Sequence, residues 1–263
     1  MLKEKAEKTR KMRIDQLMVQ NALVESREIA QRLILAGKVR IGERTVNKAS
    51  QLADIDAPVQ ILEGLKYVSR GGLKLEKAIT EFKIDCTNKV VVDVGASTGG
   101  FTDVLLQVGA DRVYAVDVGY GQIAWKLRQD PRVVVMERVN ARHLAREMFA
   151  ELVDLAVVDV SFISARLILS PLASITSEAV VLVKPQFEAG PQDVPRGGVI
   201  RDPAVHRRVL AEFCRQLQEW HVHGMIDSPI LGGDGNREFL LHLKISAGWT
   251  PEQIETRIKE LIA

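Results

Sequence analysis

The sequence has few cysteines, few aromatic residues and no long apolar run, and each shortage excludes a class of protein. Its two cysteines, Cys86 and Cys214, lie far apart in the 263 residues, which indicates a reducing compartment and no disulfide scaffold. Aromatic residues make up only 5%, so an aromatic sugar-binding surface is not expected. No stretch of 18 apolar residues occurs without a charge, and the N-terminus lacks the apolar core of a secretory signal. We therefore expect no transmembrane helix and a cytoplasmic protein.

Positive charge is concentrated near the N-terminus. Residues 1–50 carry twelve Lys and Arg against six Asp and Glu, whereas the other 213 residues carry 24 against 28. This charge asymmetry is typical of a basic module that binds a polyanion and is joined to a larger domain with a different function. For residues 1–11 alone, a solvated charged tail remains an alternative.

Residues 12–62 have the pattern of a small α/β unit. Apolar residues from Ile14 to Ala22 follow helical spacing, Ser26 suits the N-cap of a second helix, and Gly37 suits its end. Two short strands around Gly42 and Glu43, and a third at Val59–Leu62, should complete the unit. Its basic residues and one arginine of the following segment are candidates for contacts to RNA phosphates: Arg13, Arg27, Arg32, Lys38, Arg40 and Arg70.

From Val90 onward, strand-length apolar runs alternate with helical segments. This alternation predicts a mostly parallel sheet with helices on both faces, whose ligands bind at the carboxyl ends of the strands. Helices are expected from Leu73 to Phe82, from Gly100, and from Pro203 to about Trp220. The expected strands are Val90–Val94, Arg112–Asp117, Val133–Glu137, Leu155–Asp159, Val180–Lys184 and Glu238–Ile245.

A small-residue loop, D-V-G-A-S-T-G-G-F, runs from Asp93 to Phe101 at the end of the first of these strands. Its small residues allow a ligand to approach backbone N–H groups closely. An acid inside the loop is awkward for a pyrophosphate but suits S-adenosylmethionine, which carries a sulfonium and an ammonium. A second acid, Asp117, ends the next strand, where it can bind the hydroxyls of an adenosine ribose. The candidate cofactor residues are Asp93, Gly95, Ser97, Thr98, Gly99, Gly100, Phe101, Asp117, Val118, Asn140 and Asp159.

Four further charged residues lie at predicted element ends. Asp159 and Lys184 end apolar strands, Lys74 follows the S-R-G-G turn, and Glu238 begins an apolar strand. A charge in such a position is costly unless it is paired or used. Taken singly, each is more often a structural ion pair or a surface charge. His221 and His223 are spaced by two without neighbouring cysteines or acids, so we interpret them as surface residues and expect no metal site.

The motifs D-V-G-A-S-T-G-G-F-T-D, V-V-D-V-S-F-I, V-K-P-Q-F-E and G-N-R-E-F, in this order, resemble the TlyA (hemolysin A) family of ribosomal-RNA 2′-O-methyltransferases. The catalytic domain of that family is similar to FtsJ, a heat-shock ribosomal-RNA ribose methyltransferase. The segment from R-I-D-Q-L-M-V to A-G-K-V-R-I-G resembles an RNA-binding motif shared with a small-subunit ribosomal protein and some pseudouridine synthases. The resemblance covers about residues 12–250.

The resemblance implies an α/β fold: a Rossmann-like class I methyltransferase sheet preceded by a small α/β RNA-binding domain. The expected boundaries are residues 1–62 for the RNA-binding domain, 63–72 for a linker and 73–263 for the methyltransferase domain. It also implies S-adenosylmethionine as cofactor and ribosomal RNA or a ribosomal subunit as partner, with no membrane and no metal, and leaves the oligomeric state open. A catalytic Lys–Asp–Lys–Glu tetrad is implied at Lys74, Asp159, Lys184 and Glu238.

The mechanism that we hypothesise is a direct in-line transfer of the methyl group to a ribose 2′-hydroxyl, with Lys184 taking the hydroxyl proton. Asp159 and Glu238 would orient the two lysines. The Pro- and Gly-rich residues 185–201 are expected to form a flap over RNA or cofactor. The alternatives are a dehydrogenase, a pore-forming hemolysin and a non-catalytic RNA-binding protein.

Overall fold

The computed structural model describes residues 10–35, 37–42, 44–62, 66–233 and 235–263. It divides into two compact units, an N-terminal unit up to Arg70 and a C-terminal unit from Gly71 to Ala263. The boundaries expected at residues 62 and 73 remain predictions. Glu43 of the predicted turn and residues 63–65 of the predicted linker lie outside the described residues.

The N-terminal unit contains two small antiparallel sheets and two helices around one apolar core. Ile14, Leu17 and Met18 are fully buried in that core. The sheets have the strand orders β1-β4 and β3-β2-β5. The elements are β1 (Lys11–Arg13), α1 (Ile14–Gln20), α2 (Arg27–Leu35), β2 (Val39–Ile41), β3 (Arg44–Thr45), β4 (Leu52–Asp54) and β5 (Val59–Ile61).

Local sequence signals set both ends of helix α2. The Ser26 hydroxyl accepts a hydrogen bond from the Ile29 backbone N–H at 3.4 Å, as an N-cap residue does. Gly37 adopts φ +70°, and the N–H of Lys38 bonds back to the Leu33 carbonyl at 2.9 Å. This left-handed ending favours glycine. The helix and the predicted strands β2, β3 and β5 are confirmed, whereas β1 and β4 are too short to show a pattern in the sequence.

The C-terminal unit alternates strands and helices along its whole length. Its elements are α3 (Gly71–Phe82), β6 (Val90–Val94), α4 (Gly100–Gln107), β7 (Arg112–Asp117), α5 (Trp125–Arg128), β8 (Val133–Glu137), β9 (Leu155–Val158), α6 (Arg166–Leu172), β10 (Glu178–Val183), α7 (Pro185–Glu188), α8 (Pro203–Arg215), β11 (His221–Asp227), β12 (Phe239–Lys244) and α9 (Pro251–Leu261).

A seven-stranded sheet organises this unit, with the order β11-β12-β10-β9-β6-β7-β8. Strands β6 to β10 pair in parallel, and β12 runs antiparallel to both of its neighbours. Val92 and Val94 join the apolar core that includes residues of α6 and α8, while Asp93 bonds to Thr102 of α4, so helices cover both faces. The predicted α/β fold with a mostly parallel sheet is confirmed.

The strand order of the sheet creates a crevice at the carboxyl end of β6. The chain continues from β6 to β7 on one side and later places β9 on the other. The loops that follow these strands therefore diverge and leave a crevice between them. The glycine-rich loop after β6 lies at this crevice.

Two helix boundaries and one strand differ from the sequence prediction. Helix α3 begins at Gly71, so Gly71 and Gly72 of the predicted linker form its first turn. Helix α8 ends at Arg215, not near Trp220, and is followed by a strand, β11, that the sequence did not predict. The β11–β12 register shifts between Val222 and Gly224. That irregularity breaks the two-residue alternation by which a strand is recognised.

Within the part of the chain that the structure describes, no helix is both long and apolar enough to cross a membrane.

Candidate active site

A cleft of about 440 Å³ opens at the carboxyl ends of β6, β7 and β9, which we call the glycine-loop cleft. Such a volume lies within the range of small-molecule sites. Six of the eleven predicted cofactor residues line it: Gly95, Ser97, Asp117, Val118, Asn140 and Asp159. Ten more residues complete the walls: Val116, Gln122, Val139, Ala141, Arg142, Val160, Ser161, Phe162, Ile163 and Ile168.

The Asp117 carboxylate ties the two rims of the cleft together. One oxygen accepts the backbone N–H of Ser97 at 2.8 Å, and the other accepts that of Gly119 at 2.7 Å. Each carboxylate oxygen can accept two hydrogen bonds, so both oxygens retain capacity for a ligand. Asp117 can therefore bind a vicinal diol while it shapes the loop around that diol.

Glycine is required at the floor of the cleft. Gly95 has φ +86°, and a Cβ there would collide with the carbonyl oxygen of Asp159. Gly99 has φ +92°, and a Cβ there would collide with Leu127. Both positions need a left-handed backbone and a close approach of two chain segments, which a side chain would prevent.

Asp93 lies below the cleft and does not line it. Its carboxylate is fully buried and accepts the Thr102 hydroxyl at 2.6 Å, while its other oxygen has no hydrogen-bond partner among the described residues. Burial raises the pKa of Asp93 to about 7, and the charges of Asp159 and Asp117 act in the same direction. The sequence signal, an acid near a strand end, does not reveal which way the side chain points.

The remaining residues of the loop shape the turn and do not line the cleft. Gly100 and Phe101 are buried in the first turn of α4, and the carbonyl of exposed Thr98 accepts the N–H of Ala124. Asn140 lines the cleft and its side chain accepts the N–H of Arg142. We therefore separate the predicted cofactor residues into six that line the cleft and five that support it.

The four tetrad residues form two ion pairs, and both pairs lie at the same edge of the sheet. Lys74 Nζ is 2.6 Å from Glu238 Oε2, and Lys184 Nζ is 2.6 Å from Asp159 Oδ1. Both lysine side chains are only 10% exposed. The antiparallel register pairs Val183 with Phe239. One residue beyond this pair, Lys184 and Glu238 are therefore neighbours on adjacent strands, which brings the two ion pairs together.

Ser161 belongs to this site and the sequence reading missed it. Its hydroxyl accepts a hydrogen bond from Lys184 Nζ at 2.8 Å, and it lines the glycine-loop cleft. The available signal was its spacing from Asp159, because residues two apart in extended backbone face the same side. Phe162, next in the chain, is 91% exposed and adopts φ +65°.

Residues 185–201 contain short helix α7 and do not form a wall of the glycine-loop cleft as it is described. Instead, they are fastened to the loop before β12. Buried Asn236 accepts the N–H of Ile200 at 3.0 Å and donates to the Gly198 carbonyl at 2.9 Å. The flap over RNA or cofactor remains a prediction, and its segment is tied to the loop that precedes Glu238.

In the N-terminal unit, two of the predicted RNA-binding arginines share a buried carboxylate. Asp15 accepts two hydrogen bonds from Arg13, at 2.9 and 2.8 Å, and one from Arg27 at 3.0 Å. Arg32 is exposed in the last turn of α2, and Lys38 and Arg40 follow on and beside β2. The Arg70 side chain lies against Gly37, where a Cβ would approach its Cδ to 2.9 Å. The unit therefore carries several cationic side chains, and Asp15 holds two of them, Arg13 and Arg27, in fixed positions.

Two other features are distinct from this site. His221 and His223 lie on edge strand β11, and the described residues contain no group of three or more side chains that could hold a metal ion.

A larger cleft of about 960 Å³ lies between α8, α9 and β11. Around it, Arg207 contacts the Ile262 carbonyl and Lys259 pairs with Glu255. Arg207 thus fastens the C-terminal end of α9, while Lys259 and Glu255 form a pair within that helix.

Two family models match the chain. A model described as FtsJ-like methyltransferase matches residues 67–245, and one described as S4 domain matches residues 12–57.

Several known proteins are similar to the chain over most of its length. YqxC of Bacillus subtilis, named as an rRNA methyltransferase, is 50% identical over 242 residues, which cover 89% of this chain and 86% of that protein. TlyA of Mycobacterium tuberculosis, named as a 16S/23S rRNA (cytidine-2′-O)-methyltransferase, is 46% identical and covers 89% of this chain and 90% of that protein. A solved structure described as a hemolysin from Streptococcus thermophilus has a TM-score of 0.75 at 43% identity, covering 97% of this chain and 95% of that one.

Proposed function

The chain belongs to the FtsJ-like methyltransferase family and is a methyltransferase, and we propose that it transfers a methyl group from S-adenosylmethionine to a ribose 2′-hydroxyl of ribosomal RNA. The observation that carries the proposal is the pair of buried lysine–carboxylate contacts beside an acidic, glycine-floored cleft. The names of the full-length relatives support ribosomal RNA as the substrate.

The donor set of the glycine-loop cleft supports S-adenosylmethionine. Two carboxylates, Asp117 and Asp159, line the cleft, and its one lysine or arginine among the described lining residues, Arg142, donates to Asn140. Such a lining favours a ligand with positive charge and a ribose diol over a pyrophosphate. The glycine floor at Gly95 leaves room for the ligand to approach the backbone. S-adenosylmethionine, when bound there, supplies a methyl group on a positively charged sulfur.

Lys184 takes the proton of the attacking 2′-hydroxyl. Its Nζ already contacts two acceptors, Asp159 and Ser161. The Ser161 hydroxyl accepts a hydrogen bond from Nζ at 2.8 Å and the Asp159 carboxylate lies 2.6 Å from Nζ, so the two contacts hold the amine in one position beside the cleft. When the 2′-hydroxyl oxygen accepts the methyl group that S-adenosylmethionine would supply, the hydroxyl proton would move to Lys184 Nζ.

Lys74 and Glu238 form the second half of the tetrad. Glu238 lies beside Lys184 on the neighbouring strand and is neutralised by Lys74 at 2.6 Å. Because the Lys74–Glu238 pair has no net charge, it fixes the surroundings of Lys184 without adding a second free carboxylate. The role of the Lys74–Glu238 ion pair is to orient the reacting groups.

The N-terminal unit binds the RNA. Its match to the S4 domain model and its surface cations support contacts to the phosphate backbone. The expected partner is ribosomal RNA, free or in a ribosomal subunit, and the expected place of action is the cytoplasm, where ribosomes are assembled. Neither activity nor substrate requires a membrane.

The decisive experiment is transfer of radiolabelled methyl groups from S-adenosylmethionine to purified ribosomal subunits, followed by mapping of the methylated nucleotide. We expect label at a ribose 2′-oxygen. Label on a base, or no label while S-adenosylmethionine binds, would refute the proposed reaction. A parallel assay with liposomes tests the hemolysin alternative, and lysis by the pure protein in the absence of RNA would support that alternative instead.

A further inference from the structure

We propose that Glu188 is a positioning residue of the methyl-transfer site, which holds the segment carrying Asp159 against the segment carrying Lys184. The inference rests on the proposed function and concerns a residue outside the tetrad and outside the glycine-loop cleft. Glu188 ends helix α7, four residues after Lys184.

The Glu188 carboxylate joins two loops that follow neighbouring strands. One oxygen accepts the backbone N–H of Ala165 at 2.7 Å, and the other accepts the Ser164 hydroxyl at 2.6 Å. Arg166 Nε lies 3.3 Å from the second oxygen. Ser164 and Ala165 belong to the segment between β9 and α6 that also contains Asp159 and Ser161, and Arg166 is the first residue of α6. Glu188 therefore binds the other end of the loop on which the acid of the Lys184 pair lies.

The two segments also touch at two places between the sheet and Glu188. Lys184 contacts Asp159 and Ser161, and the rings of Phe187 and Phe162 lie 5.2 Å apart between their centres. Glu188 closes this series of contacts. Because the loops have no backbone pairing beyond the last register pair, Val181 with Val158, side chains must set their separation. Glu188 supplies the polar part of that connection.

The residue type at 188 is costly, which argues that its charge is used. The Glu188 side chain is 3% exposed, and burial raises the pKa of Glu188 while Ser164 and Ala165 act in the opposite direction. A glutamine of the same shape retains one acceptor oxygen, but its amide nitrogen cannot accept from Ser164 or Ala165. The substitution therefore loosens one loop without removing a large side chain.

The test compares Glu188→Gln with Glu178→Gln. Glu178 begins β10, the strand that leads to Lys184 and α7, and its carboxylate accepts a hydrogen bond from His242 at 2.7 Å, so it is a half-buried carboxylate at the end of that strand away from the reaction. We expect Glu188→Gln to lower kcat for methyl transfer by about 10- to 100-fold, because small misplacements have effects of that size. S-adenosylmethionine affinity, measured by calorimetry, should stay unchanged. Glu178→Gln should lower thermal stability and leave kcat at the wild-type value.

A double-mutant cycle with Lys184→Ala separates positioning from general support of the fold. If Glu188 acts through Lys184, the double variant is no slower than Lys184→Ala alone. Multiplied losses, or equal kcat in the Glu188→Gln and wild-type proteins, would overturn the inference.

Hydrogen exchange gives a readout that does not depend on activity. The Ala165 amide should exchange faster in Glu188→Ala, which removes both acceptor oxygens, and unchanged protection of this amide would also count against the inference. Should Glu188→Gln fail to fold, Ser164→Ala removes one of the same contacts and should give a smaller loss of kcat, with the same absence of additivity. A wild-type protein that methylates no RNA refutes the proposed function, while exchange at Ala165 still reports on the contact itself.

Discussion

Both units bury a carboxylate among cationic side chains, but the cations differ in kind and in exposure. In the N-terminal unit, Asp15 is fully buried and holds Arg13 and Arg27, whose side chains are 38% and 47% exposed. In the C-terminal unit, Asp159 and Glu238 hold Lys184 and Lys74, each only 10% exposed. The first arrangement turns its cations outward, and the second keeps them at the edge of a cleft.

The difference follows from the chemistry of the two side chains. A guanidinium stays charged under all ordinary conditions and can bond to a carboxylate on one side while presenting further N–H donors on another. A lysine amine can be neutral and then accept a proton. An arginine–carboxylate pair therefore suits a permanent phosphate-binding surface, whereas of the two side chains only a lysine can, once it has lost its proton, accept one at the edge of a cleft.

Exchange of lysine for arginine in the tetrad is the strongest way to break this comparison. Lys184→Arg retains the charge but cannot lose a proton, so we expect methyl transfer to fall by about 100-fold or more, as in Lys184→Ala. Both variants should keep the fold and S-adenosylmethionine affinity, measured by calorimetry. The control is Lys244→Arg, which preserves an ion pair to Glu178 at the opposite end of the sheet. An active Lys184→Arg protein would mean that Lys184 binds RNA or stabilises charge and that the proton leaves elsewhere.

The reverse exchange in the N-terminal unit should be tolerated. Arg27→Lys keeps a cation near Asp15 and should retain more affinity for ribosomal RNA fragments than Arg27→Ala.

A four-fold alanine variant replaces Arg27, Arg32, Lys38 and Arg40. It should reduce the slope of log affinity against log salt concentration by about 0.9 for each duplex phosphate contact that is lost. Cofactor affinity should not change, and an unaltered salt slope would assign the unit another role.

Removal of the Asp117 carboxylate tests whether the glycine-loop cleft binds the cofactor. Asp117→Ala loses a charged hydrogen-bond acceptor, worth roughly 1.5–3 kcal/mol, so S-adenosylmethionine affinity should fall by at least about tenfold. Asp154→Ala is the matched control, because Asp154 also accepts a backbone N–H, from Val90, but at the opposite end of β6. Calorimetry that finds equal affinities in the two folded variants would remove Asp117 from the site.

The smallest expected effect is a pH dependence of stability, which compares the buried carboxylates of Asp15 and Asp93. Three side chains hold the pKa of Asp15 well below its usual range, Arg13 foremost. Its contribution to stability is therefore present above about pH 4 and is lost only in stronger acid. The buried Asp93 has no such cation among the described residues, and its pKa of about 7 means that the folded state binds a proton that the unfolded state has released. Stability should consequently fall as pH rises.

Calorimetric unfolding at pH 6 and pH 8 measures the Asp93 effect. For a pKa of about 7, the free energy of unfolding should decrease by roughly 1.4 kcal/mol over this interval, or about 3–5 °C in Tm. Asp93→Asn retains an acceptor for Thr102 and should remove most of this dependence. A pH dependence that persists in Asp93→Asn would have to come from another group.

Much of the fold could be predicted because strands and helices leave periodic patterns. The five parallel strands were recognised within two residues, since each is an apolar run bounded by charge or glycine. Strand β11 was missed because its irregular register breaks that pattern. Strands β1 and β4 were missed because three residues are too few to show one.

The candidate site could be predicted as a set of residues but not as an arrangement. The sequence by itself determined which loops meet, because parallel strands bring their carboxyl ends to one edge, and which residue types those loops carry. Only the tertiary structure decided that Asp93 faces Thr102 below the cleft, that Ser161 shares Lys184 with Asp159, and that Asp15 holds Arg13 and Arg27. The physical reason is that periodicity reports on burial of a whole face. The partner of a single polar group depends on side chains that lie far away in the chain.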